Sequence, residues 1–313
     1  MPDAPLELAG VVKRYGERLA LDGFDLRVAR GEVFGFLGPN GAGKTTAIRI
    51  ALGLLRADEG AVSVLGRDPW LVGVEDRGRL GYLPSAPRFY ERMGGLDMLE
   101  HLARLSGGRS DGRARACELL ELSAADLDRP VREYSRGMRQ KLGIVQAFQH
   151  GPELLVLDEP TEGLDPIVQE GFYQLVRERR DAGATTLFSS HVLSEVETLC
   201  ERVGMIRSGR MITVRVLVEL QAALPRLVRI EFAEPGAAAA FELEGSLRRE
   251  LDGSLLVLEY SGEPAALVHA LAAERIVDLV IEKASLEDIF LQLYRGDEPR
   301  SPKRPLRPGA RAT

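Results

Sequence analysis

The stretch that decides the fold is Gly38-Pro39-Asn40-Gly41-Ala42-Gly43-Lys44-Thr45-Thr46. It follows a short apolar run, Val33–Leu37, and precedes a segment, 45–55, whose apolar residues recur at helical spacing. A GxxxxGK[ST] loop between a strand and a helix is typical of phosphate binding. Its glycines let successive main-chain N–H groups turn inward around phosphate oxygens, because no side chain stands in the way. The alternative is a flexible glycine turn, which the flanking strand and helix disfavour.

The residue types in this loop predict its contacts. Lys44 is expected to reach the β- and γ-phosphates of a nucleotide and to stabilise charge there, and the Thr45 hydroxyl is expected to ligate magnesium. The N-terminus of the following helix adds favourable partial positive charge. We therefore predict that residues 38–46 bind a nucleotide.

Two carboxylates follow a second apolar run, Leu154–Leu157, which is typical of a buried parallel strand. They are Asp158 and Glu159, at the end of a strand, where open α/β sheets bind ligands. Burying both without a function would be costly. Asp158 is suited to magnesium coordination through water, and Glu159 to accepting a proton from an attacking water. A helix cap after the strand is the alternative, but it explains only one of the two.

A histidine, His191, follows a third strand-like run that begins at Thr185. A lone histidine is more often a packed or surface residue than a catalytic one. Here the ends of three predicted strands converge on one phosphate site, where a neutral imidazole can hydrogen-bond the γ-phosphate. We therefore predict that His191 is catalytic, together with Glu159 and Lys44.

With these motifs in place, residues 6–220 resemble an ABC transporter ATPase. The stretch that resembles the family signature, written LSGGQ, is Tyr134-Ser135-Arg136-Gly137-Met138-Arg139-Gln140. The resemblance implies that Ser135 and Gly137 contact the γ-phosphate bound by an opposite protomer. It therefore implies a homodimer with two composite sites for ATP and Mg²⁺. Without the family, the signature would be interpreted as a helix cap.

Further residues take roles only from this resemblance. Tyr15 matches the aromatic residue that stacks on adenine, although an ordinary strand-end tyrosine is the alternative. The loop Gly163-Leu164-Asp165 matches the one that couples the two sites across the dimer. Asp165 and Pro166 also have the residue types of an N-cap and a first helical turn.

The chain departs from the family pattern at three places. Ser85 stands where the family usually has a glutamine that helps to coordinate magnesium and senses the membrane partner, and serine is too short to do both. The signature carries Tyr134, Arg136 and Met138 in place of leucine, glycine and glutamine, and Glu162 replaces the usual serine before Gly163. We expect hydrolysis to survive and its coupling to be altered.

The predicted fold is α/β, a P-loop NTPase domain of the ABC ATPase type with a mixed sheet and a helical insert, followed by a small α+β domain. The expected boundaries are 1–220 for the ATPase domain, with the insert at about 86–150, and 221–294 for the accessory domain. The tail, 295–313, is rich in Pro and Arg, and we predict disorder there. Contact of this basic tail with anionic lipid headgroups is a weaker hypothesis.

Composition limits the partners. The net charge of -6 argues against nonspecific nucleic-acid binding. No apolar run approaches the roughly 20 residues that span a bilayer, and the N-terminus has no secretory pattern. The two cysteines, Cys117 and Cys200, lack metal-ligand spacing and are expected to be ordinary packed thiols. The expected location is the cytoplasm, peripheral to the inner face of the cell membrane.

The resemblance implies that a separate permease docks on the helical insert. Candidates for lining the docking groove are Phe89, Tyr90, Met93 and Leu96, and packing in the core of the insert is an equally good interpretation. The stretch Leu286-Glu287-Asp288-Ile289-Phe290-Leu291 resembles the extra domain of exporter ATPases paired with drug, antibiotic or polysaccharide permeases. An exporter subunit is therefore the predicted function.

Two other functions remain open. One is an ABC ATPase that serves DNA repair or translation, although such proteins usually carry a long coiled coil or two cassettes in one chain, and this sequence has neither. The other is a regulatory module that binds ATP without hydrolysing it, which Ser85 suggests.

Overall fold

A computed structural model of the chain describes residues 4–71, 74–222 and 225–283. The strands are β1 (Leu6–Tyr15), β2 (Arg18–Val28), β3 (Val33–Leu37), β4 (Glu59–Val64), β5 (Leu80–Leu83), β6 (Leu154–Asp158), β7 (Thr185–Ser190), β8 (Arg202–Arg207), β9 (Arg210–Val216), β10 (Arg226–Phe232), β11 (Ser246–Asp252), β12 (Leu255–Tyr260) and β13 (Ile276–Lys283). The helices are α1 (Lys44–Ala51), α2 (Val74–Arg77), α3 (Gly95–Leu105), α4 (Arg113–Leu119), α5 (Ala124–Leu127), α6 (Arg136–Phe148), α7 (Pro166–Asp181), α8 (Leu193–Leu199), α9 (Leu217–Ala222), α10 (Pro235–Ala240) and α11 (Pro264–Leu271). A 3-10 turn spans Val131–Glu133. The described chain forms two compact units that divide between Leu217 and Val218.

The central sheet of the first unit has six strands in the order β5-β6-β7-β3-β8-β9. Its first five strands run parallel, and β9 joins as an antiparallel edge strand. Strands β3, β6 and β7 are buried along their whole length. Burial on both faces of the sheet explains the continuous apolar runs of β3 and of the first four residues of β6. The predicted mixed α/β sheet is confirmed.

A second, antiparallel sheet has the order β2-β1-β4. Its buried face packs with α1 and one side of the central sheet around a shared core. Phe24 of the small sheet lies against Phe36 of β3, with ring centroids 5.9 Å apart. Burying side chains of this size contributes roughly 1.5 to 3 kcal/mol each to the free energy of unfolding. This core holds the strand that leads into the glycine-rich loop rigidly in place.

The region between β5 and β6 is helical, as its apolar spacing predicts. It contains α3 to α6 and the 3-10 turn. The Tyr134 hydroxyl donates a 2.7 Å hydrogen bond to the Asp126 carbonyl, and the ring is almost fully buried. Tyr134 therefore replaces the leucine of the family signature with a larger anchor between α5 and the start of α6.

The second unit has a four-stranded antiparallel sheet in the order β11-β12-β10-β13, with α10 and α11 packed on it. Its core is the cluster Val228, Ile230, Phe232, Ala238, Phe241, Leu256, Leu258, Tyr260, Leu267 and Leu271. Apolar-rich runs at 227–232, 255–260 and 276–281 predict three strands, and the structure confirms them as β10, β12 and β13. Strand β11 was not predicted, because its residues are mostly charged and its apolar and polar residues alternate only weakly.

Two of the predicted segments cannot be compared with the structure. The exporter-like stretch at 286–291 and the tail at 295–313 lie outside the described residues. None of the helices in the described ranges is long and apolar enough to cross a membrane.

Candidate functional site

A cavity of about 490 Å³ opens at the carboxyl ends of β3, β6 and β7. Parallel strands bring their carboxyl ends to one edge of the sheet, so residues far apart in sequence meet there. The cavity is lined by Tyr15, Arg18, Ala20, Pro39, Asn40, Gly41, Gly43, Lys44, Thr45, Thr46, Ser85, Asp158, Glu159, Glu162 and His191. Most of the predicted site residues therefore share one cavity.

Lys44 is the first residue of α1 and is only 6% exposed. Its ammonium donates hydrogen bonds to the carbonyl oxygens of Gly38 and Pro39. Burial lowers the pKa of Lys44, and the nearby carboxylates of Glu159 and Asp158 oppose this shift. The loop thus holds a positive charge at the cavity wall, next to the free N–H groups at the start of a helix.

The loop approaches β2 so closely that only glycine fits at position 43. Gly43 has a φ of +117°, and a Cβ built there would lie 2.6 Å from the carbonyl oxygen of Ala20. Backbone-to-backbone contact of this kind fixes the height of the loop above the sheet. The neighbouring Gly38 and Ala42 are buried and are not among the residues that line the cavity.

We expect Gly43→Ala to lower the free energy of unfolding by about 2 kcal/mol or more, from positive-φ strain plus the contact with Ala20. The matched control is Gly183→Ala. Gly183 has a φ of +88° and open space around it, so only the strain, about 1 kcal/mol, should appear there. Thermal unfolding and nucleotide titration measure the two variants. Equal losses of stability in both would show that the close approach to Ala20 has no energetic effect.

Asp158 is 3% exposed at the end of β6. Burial raises its pKa, and the Ser189 hydroxyl, Lys44 and Arg49 only partly offset that rise. The ionised form of Asp158 is therefore disfavoured in the folded protein when no ligand is bound. Such destabilisation is typical of groups held ready for a ligand.

The raised pKa of Asp158 predicts how the stability of the protein depends on pH. Because the pKa of Asp158 is higher in the folded than in the unfolded chain, folding favours its protonated form. We expect nucleotide-free Asp158→Asn to have a higher Tm than wild type at neutral pH. The difference should shrink as the pH falls through the raised pKa, where the wild-type carboxyl becomes neutral.

Asp126→Asn is the control of opposite sign. Hydrogen bonds from Ser123 lower the pKa of Asp126, so its neutral variant should have a lower Tm at neutral pH. Melting curves between about pH 4 and 8 test both variants. A lower Tm for Asp158→Asn at neutral pH would contradict the assigned direction.

Glu159 lies one residue beyond the end of β6, in a left-handed backbone conformation with a φ of +51°. Its N–H donates to the Ser189 carbonyl at 3.0 Å, which ties it to β7. Its carboxylate lies 2.6 Å from Nδ1 of His191. Asp158 pairs in register with Ser189, and this parallel register brings Glu159 and His191 together.

The oxygen donors of the cavity fit Mg²⁺. Thr45, Ser85 and Asp158 all line it and offer two hydroxyls and one carboxylate. Mg²⁺ prefers oxygen ligands and usually combines one or two carboxylates with water and substrate phosphates. No cluster of three or more His, Cys, Asp or Glu side chains with metal-binding geometry occurs among the described residues. The donor set therefore suits a metal that is held jointly with a nucleotide.

The signature residues lie apart from this cavity. Ser135 caps α6, and its hydroxyl accepts the N–H of Met138 at 3.2 Å. A Cβ on Gly137 would lie 2.8 Å from the Gly163 carbonyl, so the signature loop and the loop before α7 are in backbone contact. Ser135 and Gly137 are therefore not brought to the nucleotide cavity of their own chain.

Two departures from the family pattern face one another. The Arg136 guanidinium forms an ion pair with the Glu162 carboxylate, and both side chains are exposed. Arg136 is the first residue of α6, where the helix dipole disfavours a positive charge. Glu162 offsets this repulsion, which gives a physical reason for the two replacements to occur together.

The predicted cap of α7 is confirmed. The Asp165 carboxylate accepts the N–H groups of Ile167 and Val168 at 3.1 and 3.0 Å, and Pro166 begins the helix. The loop from Glu159 to the start of α7 is thus closed at both ends by hydrogen bonds.

Arg18 and Ala20 also line the cavity, and neither was predicted from the sequence. Arg18 donates a long, 3.4 Å hydrogen bond to the Gly41 carbonyl. It lies at the start of β2, and no local motif marks it. Its position next to the glycine-rich loop depends on how the two sheets pack, which a single sequence does not reveal.

The chain is similar to known proteins over most of its length. A family model described as "ABC transporter" matches residues 21–162. The daunorubicin resistance ATP-binding protein DrrA3 of Streptomyces coeruleorubidus is 38% identical over 312 residues, which cover 96% of this chain and 98% of that protein. Nod factor export ATP-binding protein I of Burkholderia thailandensis is 33% identical over 299 residues, which cover 94% and 98%. A solved structure of the ATP-binding subunit of an ABC transporter has a TM-score of 0.65 at 29% identity and covers 69% of this chain and 91% of that chain.

Proposed function

Because this chain belongs to the ABC transporter family and is an ATPase and an ATP-binding subunit of a transporter, we propose that it dimerises on Mg-ATP to power a separate permease that exports its cargo. The observation that carries this proposal is the single cavity in which Lys44, Asp158, Glu159 and His191 converge. A positive charge, a buried carboxylate and a proton acceptor are the groups that phosphoryl transfer to water requires.

The glycine-rich loop and a nearby tyrosine bind the nucleotide. The N–H groups of residues 38–46 and the Lys44 ammonium hold the phosphates, and Tyr15, which is 49% exposed at the cavity rim, stacks on the adenine. Thr45, Ser85 and Asp158 would hold Mg²⁺ directly or through water. When bound, the metal would neutralise charge on the β- and γ-phosphates.

Hydrolysis is assigned to Glu159 as general base. The oxygen of a water molecule attacks the γ-phosphorus, and the bond from that phosphorus to the bridging oxygen breaks. Glu159 accepts the proton that the water loses, and the products are ADP and phosphate. Lys44 stabilises the negative charge that accumulates on the phosphate oxygens.

His191 has two partners in this mechanism. As a neutral ring that donates Nδ1–H to the Glu159 carboxylate, it has only a lone pair left on Nε2. A neutral ring therefore donates either to Glu159 or to the γ-phosphate, but not to both. We propose that arrival of ATP draws His191 to the phosphate and leaves the Glu159 carboxylate free to accept a proton.

Dimerisation is supported by the placement of the signature. Ser135 and Gly137 lie outside the cavity lining of their own chain, and the resemblance assigns them to the nucleotide of a second copy. ATP with Mg²⁺ should shift the sedimentation coefficient of the purified protein from monomer toward dimer, and ADP should not. A protein that stays monomeric at saturating Mg-ATP would contradict the composite site.

Partnership with a permease and export rest on the relatives, whose names describe drug resistance and Nod factor export. On the helical insert, Tyr90 is 65% and Leu96 is 36% exposed, which suits a docking surface, whereas Phe89 and Met93 are half-buried. The protein would then lie in the cytoplasm, on the inner face of the membrane, without binding nucleic acid. Purification of the tagged chain from detergent-solubilised membranes should recover an integral membrane protein. Recovery of ribosomes or DNA in its place would favour the non-transport ATPase.

A further inference from the structure

A buried carboxylate outside the cavity ties together the two segments that carry the Glu159–His191 pair. Glu195 lies in the first turn of α8 and is 5% exposed. The Thr161 hydroxyl donates to one of its oxygens at 2.5 Å, and the Ser190 hydroxyl donates to the other at 2.6 Å. Both donors are buried as well, with exposures of 6% and 1%.

These two hydroxyls occupy particular places in the chain. Thr161 lies two residues after Glu159, in the turn that follows β6. Ser190 is the last residue of β7, directly before His191, and its oxygen also accepts the Val192 N–H at 2.9 Å. One carboxylate therefore joins the turn on the far side of Glu159 to the residue that precedes His191.

Burial of a carboxylate is expensive unless its oxygens are hydrogen-bonded, and apolar residues of similar volume often stabilise a fold as well or better. Hydroxyl-to-carboxylate hydrogen bonds are short and roughly twice as strong as neutral ones. A leucine would be sufficient for packing, so the carboxylate indicates that Glu195 holds two loops in fixed positions. We call Glu195 and its hydrogen bonds to Thr161 and Ser190 the clamp.

We propose that Glu195 is a positioning residue for ATP hydrolysis, which holds the Glu159 carboxylate and the His191 ring in register without touching the nucleotide. This inference rests on the roles proposed for Glu159 and His191. Glu195 is not part of the cavity lining, and its hydrogen bonds do not involve the glycine-rich loop. Its loss should therefore lower kcat and leave the KM for ATP and the affinity for ATP close to wild type.

The experiment compares Glu195→Leu with Glu195→Gln. The glutamine amide can accept one hydroxyl hydrogen at its oxygen and donate from its nitrogen to the other hydroxyl oxygen, so it keeps both ties. We expect Glu195→Leu to lose about tenfold to a hundredfold in kcat, because small displacements of catalytic groups cost this much. Glu195→Gln should restore most of kcat. Steady-state phosphate release and nucleotide titration give kcat, KM and affinity.

Thr161→Val keeps the side-chain volume and removes one tie, so it tests the clamp even if Glu195→Leu unfolds. We expect Thr161→Val by itself to lower kcat and to leave ATP affinity unchanged. The double variant Thr161→Val, Glu195→Leu should have nearly the same kcat as Glu195→Leu, because both substitutions remove the same hydrogen bond. Wild-type kcat in Thr161→Val and Glu195→Leu would overturn the inference, as would a parallel loss of kcat and ATP affinity. A Glu195→Gln variant as slow as Glu195→Leu would also overturn it.

The turnover of Glu159→Gln distinguishes a wrong role for Glu159 from a wrong role for Glu195. Glu159→Gln is measured alongside the clamp variants. Wild-type turnover by Glu159→Gln would overturn the role of Glu159 itself. An inactive Glu159→Gln together with a fully active Glu195→Leu would overturn only the clamp.

Discussion

Replacing Lys44 with methionine is expected to weaken ATP binding by at least about a hundredfold, because charge-assisted hydrogen bonds of about 1.5 to 3 kcal/mol each are lost from the phosphates. In the free protein the ammonium is satisfied by the carbonyl oxygens of Gly38 and Pro39. Phosphate oxygens are better acceptors for it than neutral carbonyls. Methionine approximates the unbranched aliphatic part of the lysine side chain and offers no donor.

The variant should remain folded. Burial lowers the pKa of Lys44, so the charged ammonium is disfavoured in the folded state when no nucleotide is bound, and removing it should not unfold the protein. Lys13→Met is the matched control, since Lys13 pairs with Asp58 and lies outside the cavity lining. Nucleotide titration and circular dichroism measure binding and folding. ATP affinity equal to wild type in Lys44→Met would contradict the phosphate-binding assignment.

Replacing Glu159 with glutamine is expected to lower kcat by about 10²- to 10⁴-fold, the usual contribution of a general base. The amide keeps the volume of the side chain, but it cannot take a proton from water. Binding of Mg-ATP depends on other residues and should persist. The variant should therefore accumulate as an ATP-bound dimer in sedimentation experiments.

The same strand supplies a matched control. Glu153 lies directly before β6, where its carboxylate pairs with Arg79 at 2.7 Å, at the end of the strand opposite Glu159. Glu153→Gln should turn over at the wild-type rate. Phosphate release measured for both variants distinguishes a site effect from a general effect of losing a negative charge. An active Glu159→Gln would mean that another group accepts the proton.

The parts of the site that could be predicted are those that depend on local sequence. The glycine-rich loop, the strand-end carboxylates and the capped start of α7 each have a short pattern with one structural meaning. The topology rule for parallel sheets then brings Asp158, Glu159 and His191 to a common edge. This step needs no knowledge of side-chain packing.

Other features depend on register and packing, which local patterns do not contain. The 2.6 Å contact between Glu159 and His191 requires the pairing of Asp158 with Ser189. Arg18 reaches the cavity only because one sheet packs on the other. Glu195 lies in a short helix whose sequence looks like any amphipathic turn, and nothing there indicates that its carboxylate is buried. Strand β11 was missed for a similar reason, because its pairing with β12 overrides a charged composition.

The backbone at Glu159 has a consequence for protein engineering. A left-handed conformation costs a side-chain-bearing residue roughly 1 to 2 kcal/mol, and glycine escapes that penalty. A library selected for heat tolerance alone would therefore enrich glycine at position 159 and discard catalysis with it. At this residue the substitution that raises thermal stability removes catalytic turnover. Engineering for stability should therefore leave Glu159 unchanged and alter other positions.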